Sequence, residues 1–283
     1  MDPQTNAEIL NQALPYIQRF RGHTFVVKYG GSAMRDPQRL RGVLRNVLLL
    51  QLVGIRVVLV HGGGPEINHW TDRLGLAKST VGGLRVTDDE TMDVVEMALG
   101  RSNKALVAEV EQAGGRGVGL SGRDAGLMVA EPISQQLGRV GSVVAVDPSI
   151  LRTLLDSGFL PVVSSVASDR SGGALNVNAD SAAAAIASAV DASKLVLLSD
   201  TDGIYEDKDR QESRLSTLSV RQARSLIEAG QADSGMIPKL EAAIHALEDG
   251  VERVHVINGG TPNALLIEVF TDSGIGTMLS RDV

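Results

Sequence analysis

Val57-Val58-Leu59-Val60-His61-Gly62-Gly63-Gly64-Pro65-Glu66-Ile67-Asn68 is an apolar run that breaks into three glycines and resumes with helical composition. It reads as a strand, a bare-backbone turn and a helix N-terminus. Glycines let main-chain N–H groups approach a ligand with no Cβ in the way, and the helix adds the positive end of its dipole, so the junction suits an anion. A second junction of the same kind precedes it: Thr24-Phe25-Val26-Val27-Lys28-Tyr29-Gly30-Gly31 ends an apolar strand on a lysine and a glycine pair. In an α/β sheet the crevice outside the carboxyl ends of the strands is where ligands bind, which makes Lys28 a candidate site residue. A solvated lysine on an edge strand is the alternative.

Leu40 to Leu52 has a helical pattern between these strands, and Glu66 to Leu74 has one after them. Strand, helix, strand, helix predicts an α/β protein with a mainly parallel sheet. At 283 residues the chain can bury a large core, arranged as two lobes sharing one sheet. Hydrophobic residues at 43% and charged residues at 22% fit an ordinary globular protein. A net charge of -7 argues against nucleic acid as a partner, since that needs a basic face. Aromatics at 3% leave few platforms for stacking bases. The absence of cysteine removes disulfides, thiolate metal sites and cysteine nucleophiles, and fits a reducing compartment. Met1-Asp2-Pro3-Gln4-Thr5-Asn6 carries no basic or apolar signal region, and no run is long enough to span a bilayer. The expectation is a cytoplasmic protein with no membrane partner.

Along the rest of the chain, Thr5 to Arg19 places Ile9, Leu10, Ala13, Leu14 and Ile17 at helical spacing, with Thr5 and Asn6 as candidate caps and Pro15 as a kink. This helix packs either on its own domain or on another subunit. Gly82-Gly83-Leu84-Arg85-Val86-Thr87-Asp88 leads, through a Thr87 or Asp88 cap, into a helix from Glu90 to Gln112. Arg85 could clamp a carboxylate with its planar fork, although read alone a surface ion pair explains it better. Gly117-Val118-Gly119-Leu120-Ser121-Gly122 has dinucleotide-motif spacing, but no helix opens after it, so it reads as a strand end. Leu127 to Val146 reads as a hairpin, Ile150 to Leu155 as a short helix and Leu160 to Ser165 as a strand.

A lobe boundary falls near Ser171 to Asn176. Beyond it, Asn176-Val177-Asn178-Ala179-Asp180 opens an alanine-rich helix, and three polar residues there exceed what one cap requires. The strand Lys194 to Leu198 follows, then the turn Ser199-Asp200-Thr201-Asp202-Gly203, which lacks the remaining ligands of a calcium loop. A turn beside a nucleotide suits it better. Lys239 sits in the first turn of a helix after Gly235-Met236-Ile237-Pro238, where a cation is electrostatically unfavourable, and such conflicts cluster at functional sites. Val254 to Ile257 and Ala264 to Phe270 are predicted to close the sheet.

Two glycine turns, two lysines at ligand-facing positions, an arginine and an Asn/Asp cluster, with no metal cage, suit phosphoryl transfer by positioning and charge stabilisation. No glycine is followed by lysine, so there is no Walker A loop, and no Gly-x-Ser-x-Gly elbow opens a helix with a histidine partner. His61, beside the glycines, reads as structural.

Val27 to Gly31, His61 to Asn68, Gly83 to Thr87, Asn176 to Asp180 and Gly235 to Lys239 together resemble, in order and over essentially the whole chain, the motifs of the amino-acid kinases, and within that family the members acting on N-acetyl-L-glutamate in arginine biosynthesis. The resemblance implies a three-layer α/β/α sandwich of amino-acid kinase type with a mainly parallel central sheet and an added N-terminal helix. Residues 1–20 would form an oligomerisation helix, 21–175 a lobe for acetylglutamate and 176–283 a lobe for ATP. The implied reaction moves the γ-phosphoryl group of ATP, carried with Mg²⁺, to the side-chain carboxylate. Lys28 and Lys239 would neutralise charge on the moving group and Asp180 would orient them. Gly31, Gly63, Gly64, Arg85 and Asn176 would hold the substrate, while Asp200, Thr201, Asp202, Gly203, Ile204, Tyr205, Gly235, Met236 and Ile237 would hold ATP.

The N-terminal helix, Asn258-Gly259-Gly260 and Glu268 to Thr277 resemble the arginine-inhibited, hexameric branch, which implies an arginine site at Tyr16, Glu268, Gly274 and Gly276. Asn263 stands where many relatives have histidine, and Met97 to Lys104 is one residue shorter than in the family. A PII signalling protein, which controls some members, is neither demanded nor excluded as a partner.

Overall fold

The computed structural model describes residues 2–30, 36–207 and 209–282. Its first half runs α1 (Pro3–Phe20), β1 (Thr24–Tyr29), α2 (Pro37–Leu52), β2 (Arg56–His61), α3 (Gly64–Arg73), β3 (Thr80–Val81), β4 (Leu84–Arg85), α4 (Asp89–Gln112), β5 (Gly117–Ser121), β6 (Met128–Pro132), β7 (Val140–Val146), α5 (Ser149–Asp156), β8 (Leu160–Ser164), β9 (Val166–Ser168) and β10 (Ala174–Val177). The second half runs α6 (Ala179–Ala189), β11 (Lys194–Ser199), β12 (Ile204–Tyr205), β13 (Arg214–Leu215), β14 (Thr217–Ser219), α7 (Val220–Glu228), α8 (Ile237–Glu248), β15 (Arg253–Asn258), α9 (Ala264–Phe270) and β16 (Thr277–Ser280).

One sheet carries both halves, in the order β14-β16-β15-β11-β1-β2-β8-β5. From β15 to β5 every neighbouring pair is parallel, whereas β16 is antiparallel to β15. Strand β1 lies at the centre, with its successor β2 on one side and β11 on the other. The chain order reverses there, and in open α/β sheets such a switch point is where ligands bind.

The strands are apolar on both faces, as a sheet covered by helices on both sides requires. Period-two alternation sorts β1 cleanly: Val26 enters a core with Ala182, Ala183 and Ile186 of α6, while Phe25, Val27 and Tyr29 enter the opposite core with Leu44 and Val47 of α2. Lys28 shares the parity of Val26 and therefore faces α6. Helices α5 to α8 line one face, and α2, α4 and α9 the other, giving three layers. A closed four-stranded barrel of β10, β7, β6 and β9 stands beside the sheet and contains the hairpin expected between Leu127 and Val146. The division at 175/176 falls inside β10, one of its strands.

Three readings change. Helix α1 is capped by Asp2, whose carboxylate accepts from the Thr5 amide, so the helix starts ahead of Thr5 and Asn6. Ala264 to Phe270 is a helix and not a closing strand, with Ala264, Leu265, Glu268 and Val269 buried at helical spacing. A seven-residue, mostly apolar run does not separate the two periods. The sheet is closed instead by β14 and β16, too short and mixed to stand out in the sequence. Among the described residues no helix is long and apolar enough to cross a membrane.

Leu59 is fully buried in the α2-side core, whereas Leu52 is 83% exposed. Leu59→Ala is expected to cost about 2–5 kcal/mol in urea unfolding, and Leu52→Ala at most ~0.5 kcal/mol. Equal costs at the two positions would contradict this packing.

Candidate active site

Lys28 ends near the centre of the sheet's carboxyl edge, and Asp180 lies in the first turn of α6, directly over it. Their charged groups pair at 2.9 Å, with both side chains under 10% exposed. The other carboxylate oxygen of Asp180 accepts from Lys239 Nζ at 3.3 Å, and Lys239 also donates to the Gly235 carbonyl. Burial would raise the Asp180 pKa, but Lys28 and Lys239 together hold it below the ordinary carboxylate value. One anion between two cations leaves a net positive site. Lys239 thus breaks the helix-dipole preference at α8 because its partner belongs to α6.

The cap of α6 is Asn178, whose side chain accepts from the amides of Asp180 and Ser181. That frees Asp180 for the lysines and Asn176 for a contact with Thr87, so the three polar residues have three different duties.

Two clefts meet at Lys28. One, of about 290 Å³, is lined by Lys28, Gly62 to Gly64, Arg85, Asn176 and Asp180. The other, of about 270 Å³, is lined by Lys28, Asp200, Thr201, Gly235, Met236 and Lys239, and a recess of about 140 Å³ under Ile204 and Tyr205 adjoins it. Lys28 and Gly30 line both of the larger clefts. Arg85 donates to Asn68 Oδ1, and burial lowers its pKa.

The glycines differ in their reasons. A Cβ on Gly63 would collide with Leu99 of α4, one on Gly62 would press on Ala179 at 3.1 Å, and one on Gly30 would meet Lys28 Nζ at 3.0 Å. Gly64 has open space around its Cβ position. Packing therefore accounts for glycine at 63 and favours it at 62, but gives no reason for it at 64.

Of the residues expected to hold nucleotide, Asp200, Thr201, Ile204, Tyr205, Gly235 and Met236 line the second cleft or its recess. Asp202, Gly203 and Ile237 do not. Asp202 accepts from Asn258, and Gly203 packs against Thr277 with a φ of 145°. Gly31 lies outside the described residues. Asp233 does not stand out in the sequence: it accepts from the Gly235 and Met236 amides and lines both the second cleft and its recess. An Asx turn in Asp233-Ser234-Gly235 was the available signal.

His61 is fully buried. Its Nδ1–H donates to the Gly62 carbonyl, its Nε2 accepts from Asn103, and burial lowers its pKa to about 4. It faces Asn103 of α4, on the opposite side of the sheet from Lys28.

A second buried polar chain lies on the other face. Lys194 donates to His255 Nε2 at 2.9 Å, and His255 Nδ1–H donates to Glu268 at 2.7 Å. Burial would raise Glu268, but His255 and the amides of Ile275 and Gly276 bring it down to about 2. Burial lowers His255, so the imidazole is neutral. Of the four arginine-site candidates, Glu268, Gly274 and Gly276 are brought together here, and Tyr16 lies against Asp272, which raises its pKa. In the sequence Lys194 and His255 are marked only as strand residues. Asn263 takes a left-handed φ of 58° and accepts from Asn46 of α2, so this departure from the family pattern bears on a helix contact.

Among the described residues no group of three or more His, Asp or Glu side chains is assembled to hold a metal ion. Residues 23–258 match the pattern of the amino acid kinase family. The chain belongs to the amino acid kinase family. It is 51% identical to acetylglutamate kinase of Acaryochloris marina, over 96% of this chain and 97% of that protein. It is 50% identical to acetylglutamate kinase of Gloeobacter violaceus, over 99% and 94% respectively. Among solved structures it resembles N-acetylglutamate synthase from Neisseria gonorrhoeae, complexed with coenzyme A and N-acetyl-glutamate, with a TM-score of 0.85 at 30% identity. That match covers 97% of this chain and 63% of the synthase. Carbamate kinase from Giardia lamblia bound to AMP-PNP shares the amino acid kinase fold, with a TM-score of 0.71 at 16% identity over 92% of this chain and 99% of that one.

The two buried histidines set a pH dependence. In the unfolded chain each protonates near pH 6.5, whereas in the folded chain His61 does so only near pH 4 and His255 also below its ordinary value. The unfolded state binds more protons in that window, so stability falls as pH drops from about 7 to 4, by up to about 1.4 kcal/mol per pH unit for each histidine. Asp180 and Glu268, both depressed, extend the loss to lower pH. Urea unfolding at half-unit pH steps checks this, and a flat profile from pH 7 to 5 would contradict it.

Proposed function

We propose that this protein transfers the γ-phosphoryl group of ATP to the side-chain carboxylate of N-acetyl-L-glutamate, a step of arginine biosynthesis. The observation that carries the reading is the Lys28–Asp180–Lys239 group at the junction of two clefts, one on each side of the switch point. The similarity to the acetylglutamate kinases of Acaryochloris marina and Gloeobacter violaceus supports the choice of acceptor.

In this reading acetylglutamate occupies the cleft of Arg85, which pairs with its α-carboxylate, and Asn176, while main-chain groups of Gly31, Gly63 and Gly64 hold its reacting end and the phosphoryl oxygens. ATP occupies the cleft of Asp200, Thr201, Gly235 and Met236, and Mg²⁺ arrives with its phosphates, since magnesium usually binds through substrate phosphates and water. A side-chain carboxylate oxygen attacks the γ-phosphorus in line, and the bond to the β–γ bridging oxygen breaks. The products are the acyl phosphate and ADP. A carboxylate nucleophile is already ionised, so no general base is required. Lys28 and Lys239 stabilise negative charge on the group in flight, and Asp180 holds their ammonium groups in place before it arrives.

Residues 21–175 serve as the acetylglutamate lobe and 176–283 as the ATP lobe. The exposed Ile9, Leu10 and Leu14 of α1 support a role for residues 1–20 in assembly into a hexamer. Arginine feedback would act beside that helix, through Tyr16, Glu268, Gly274 and Gly276, where the acidic group is already ionised.

ADP release measured with N-acetylglutamate, glutamate, aspartate and carbamate tests the acceptor. Turnover with N-acetylglutamate, trapped by hydroxylamine as the hydroxamate, is expected. Turnover confined to another acceptor, or none with any, would overturn the reading. Lys28→Ala should lower kcat about 100-fold or more with little change in KM, because its charge acts chiefly in the transition state. A pure KM effect would contradict that role.

A further inference from the structure

Thr87 is fully buried between the two residues assigned to the acetylated substrate. Its hydroxyl donates to the Arg85 carbonyl at 3.0 Å and meets Asn176 Nδ2 at 3.2 Å. Its backbone is clamped from the other side: its amide donates to the Leu137 carbonyl, and its carbonyl accepts from the Arg139 amide. Gly138, between those two, has a φ of 65°, and a side chain there would collide with the Thr87 carbonyl. The Arg139 carbonyl in turn accepts from the Asn176 amide at 2.8 Å. The turn between β6 and β7 thus fixes the main chain of both residues, and the Thr87 hydroxyl fixes the side chain.

A hydroxyl carries one hydrogen. With that hydrogen on the Arg85 carbonyl, Thr87 presents only lone pairs to Asn176 and meets its Nδ2 group. The amide is therefore turned so that Oδ1 and the second Nδ2 hydrogen have no protein partner among the described residues, while Asn176 lines the acetylglutamate cleft. Its Oδ1 can accept the N–H of an acylated amine. The acid lining that cleft, Asp180, is held by two lysines, so an unacylated α-ammonium group would find no anion to pair with.

We propose that Thr87 is a positioning residue for substrate selection: it sets the orientation of the Asn176 amide, and through it the preference for an N-acylated over a free amino acid. The inference rests on the acetylglutamate reading above. Its effect is made before the chemical step, so it belongs in KM for the acceptor.

The test compares the wild type with Thr87→Val, Thr87→Ala and Thr87→Ser in steady-state kinetics, varying N-acetylglutamate, glutamate and ATP in turn, with thermal melting to report folding. Removing the hydroxyl is expected to raise KM for N-acetylglutamate about tenfold, the worth of one hydrogen bond. KM for ATP and kcat should stay within about twofold, and the preference for N-acetylglutamate over glutamate should narrow. Serine, which keeps the hydroxyl, should restore wild-type values. Alanine carries the same test should the valine variant not fold, because it leaves room instead of an apolar surface against Asn176. An unchanged acceptor KM in the valine or alanine variant, equal rises in both KM values, or a serine variant no better than alanine would overturn the proposal. A purely structural defect would lower the active fraction and not move KM. Absence of wild-type turnover with N-acetylglutamate would instead overturn the acceptor assignment.

Discussion

A carboxylate buried between two ammonium groups is the constraint on which the rest of this structure depends. Asp180 is 4% exposed and touches Lys28 at the end of the central strand and Lys239 in the first turn of α8. Removing a charge from water costs several kcal/mol unless it is paired, and each partner here comes from a different element of the fold. The three elements can only meet if α6 crosses above β1 and α8 packs beside α6. The alanines of α6 allow that approach: Ala182, Ala183 and Ala187 are buried against the sheet and α8 in one core. Small side chains along the helix and a charged residue at its start are two aspects of one requirement.

The same geometry explains why the centre sits where it does. At the switch point the chain leaves β1 toward β2 on one side and returns to β11 on the other, so the helices diverge and a crevice opens at the strand ends. The glycine turn after β2 supplies one wall, and the Asp200–Thr201 turn after β11 supplies the other. In the proposed reaction the two substrates approach one set of charges from opposite sides, as in-line transfer demands. The histidine beside the glycines is fully buried and bonded to Gly62 and Asn103.

Much of this was legible in the sequence, for a physical reason. Strand ends followed by glycines, a lysine before such a turn, and a lysine where a helix dipole disfavours it are local signals that survive without tertiary information. Lys28, Arg85, Asn176, Asp180 and Lys239 were found that way and by resemblance, and the structure gathers all five around one pair of clefts. What was not legible depends on contacts between distant segments. Ala264 to Phe270 is apolar over too few residues to reveal its period, and its helix is decided by packing on β15 and α2. Lys194 and His255 look like ordinary strand residues until Glu268 joins them from α9. Asp202 and Gly203 shared a motif with Asp200 and Thr201, yet the turn sends them toward Asn258 and Thr277. The sequence leaves the cap of α4 open between Thr87 and Asp88; Asp88 takes it, and the Thr87 hydroxyl meets Asn176.

Asp180→Asn tests the central claim most directly, because it keeps the shape of the side chain and removes the charge that holds the two ammonium groups. The account predicts that kcat falls about 100-fold, that KM for ATP and for N-acetylglutamate changes by less than about threefold, and that the variant still melts as a folded protein. A variant with wild-type kcat, or one that loses only substrate affinity, would contradict it.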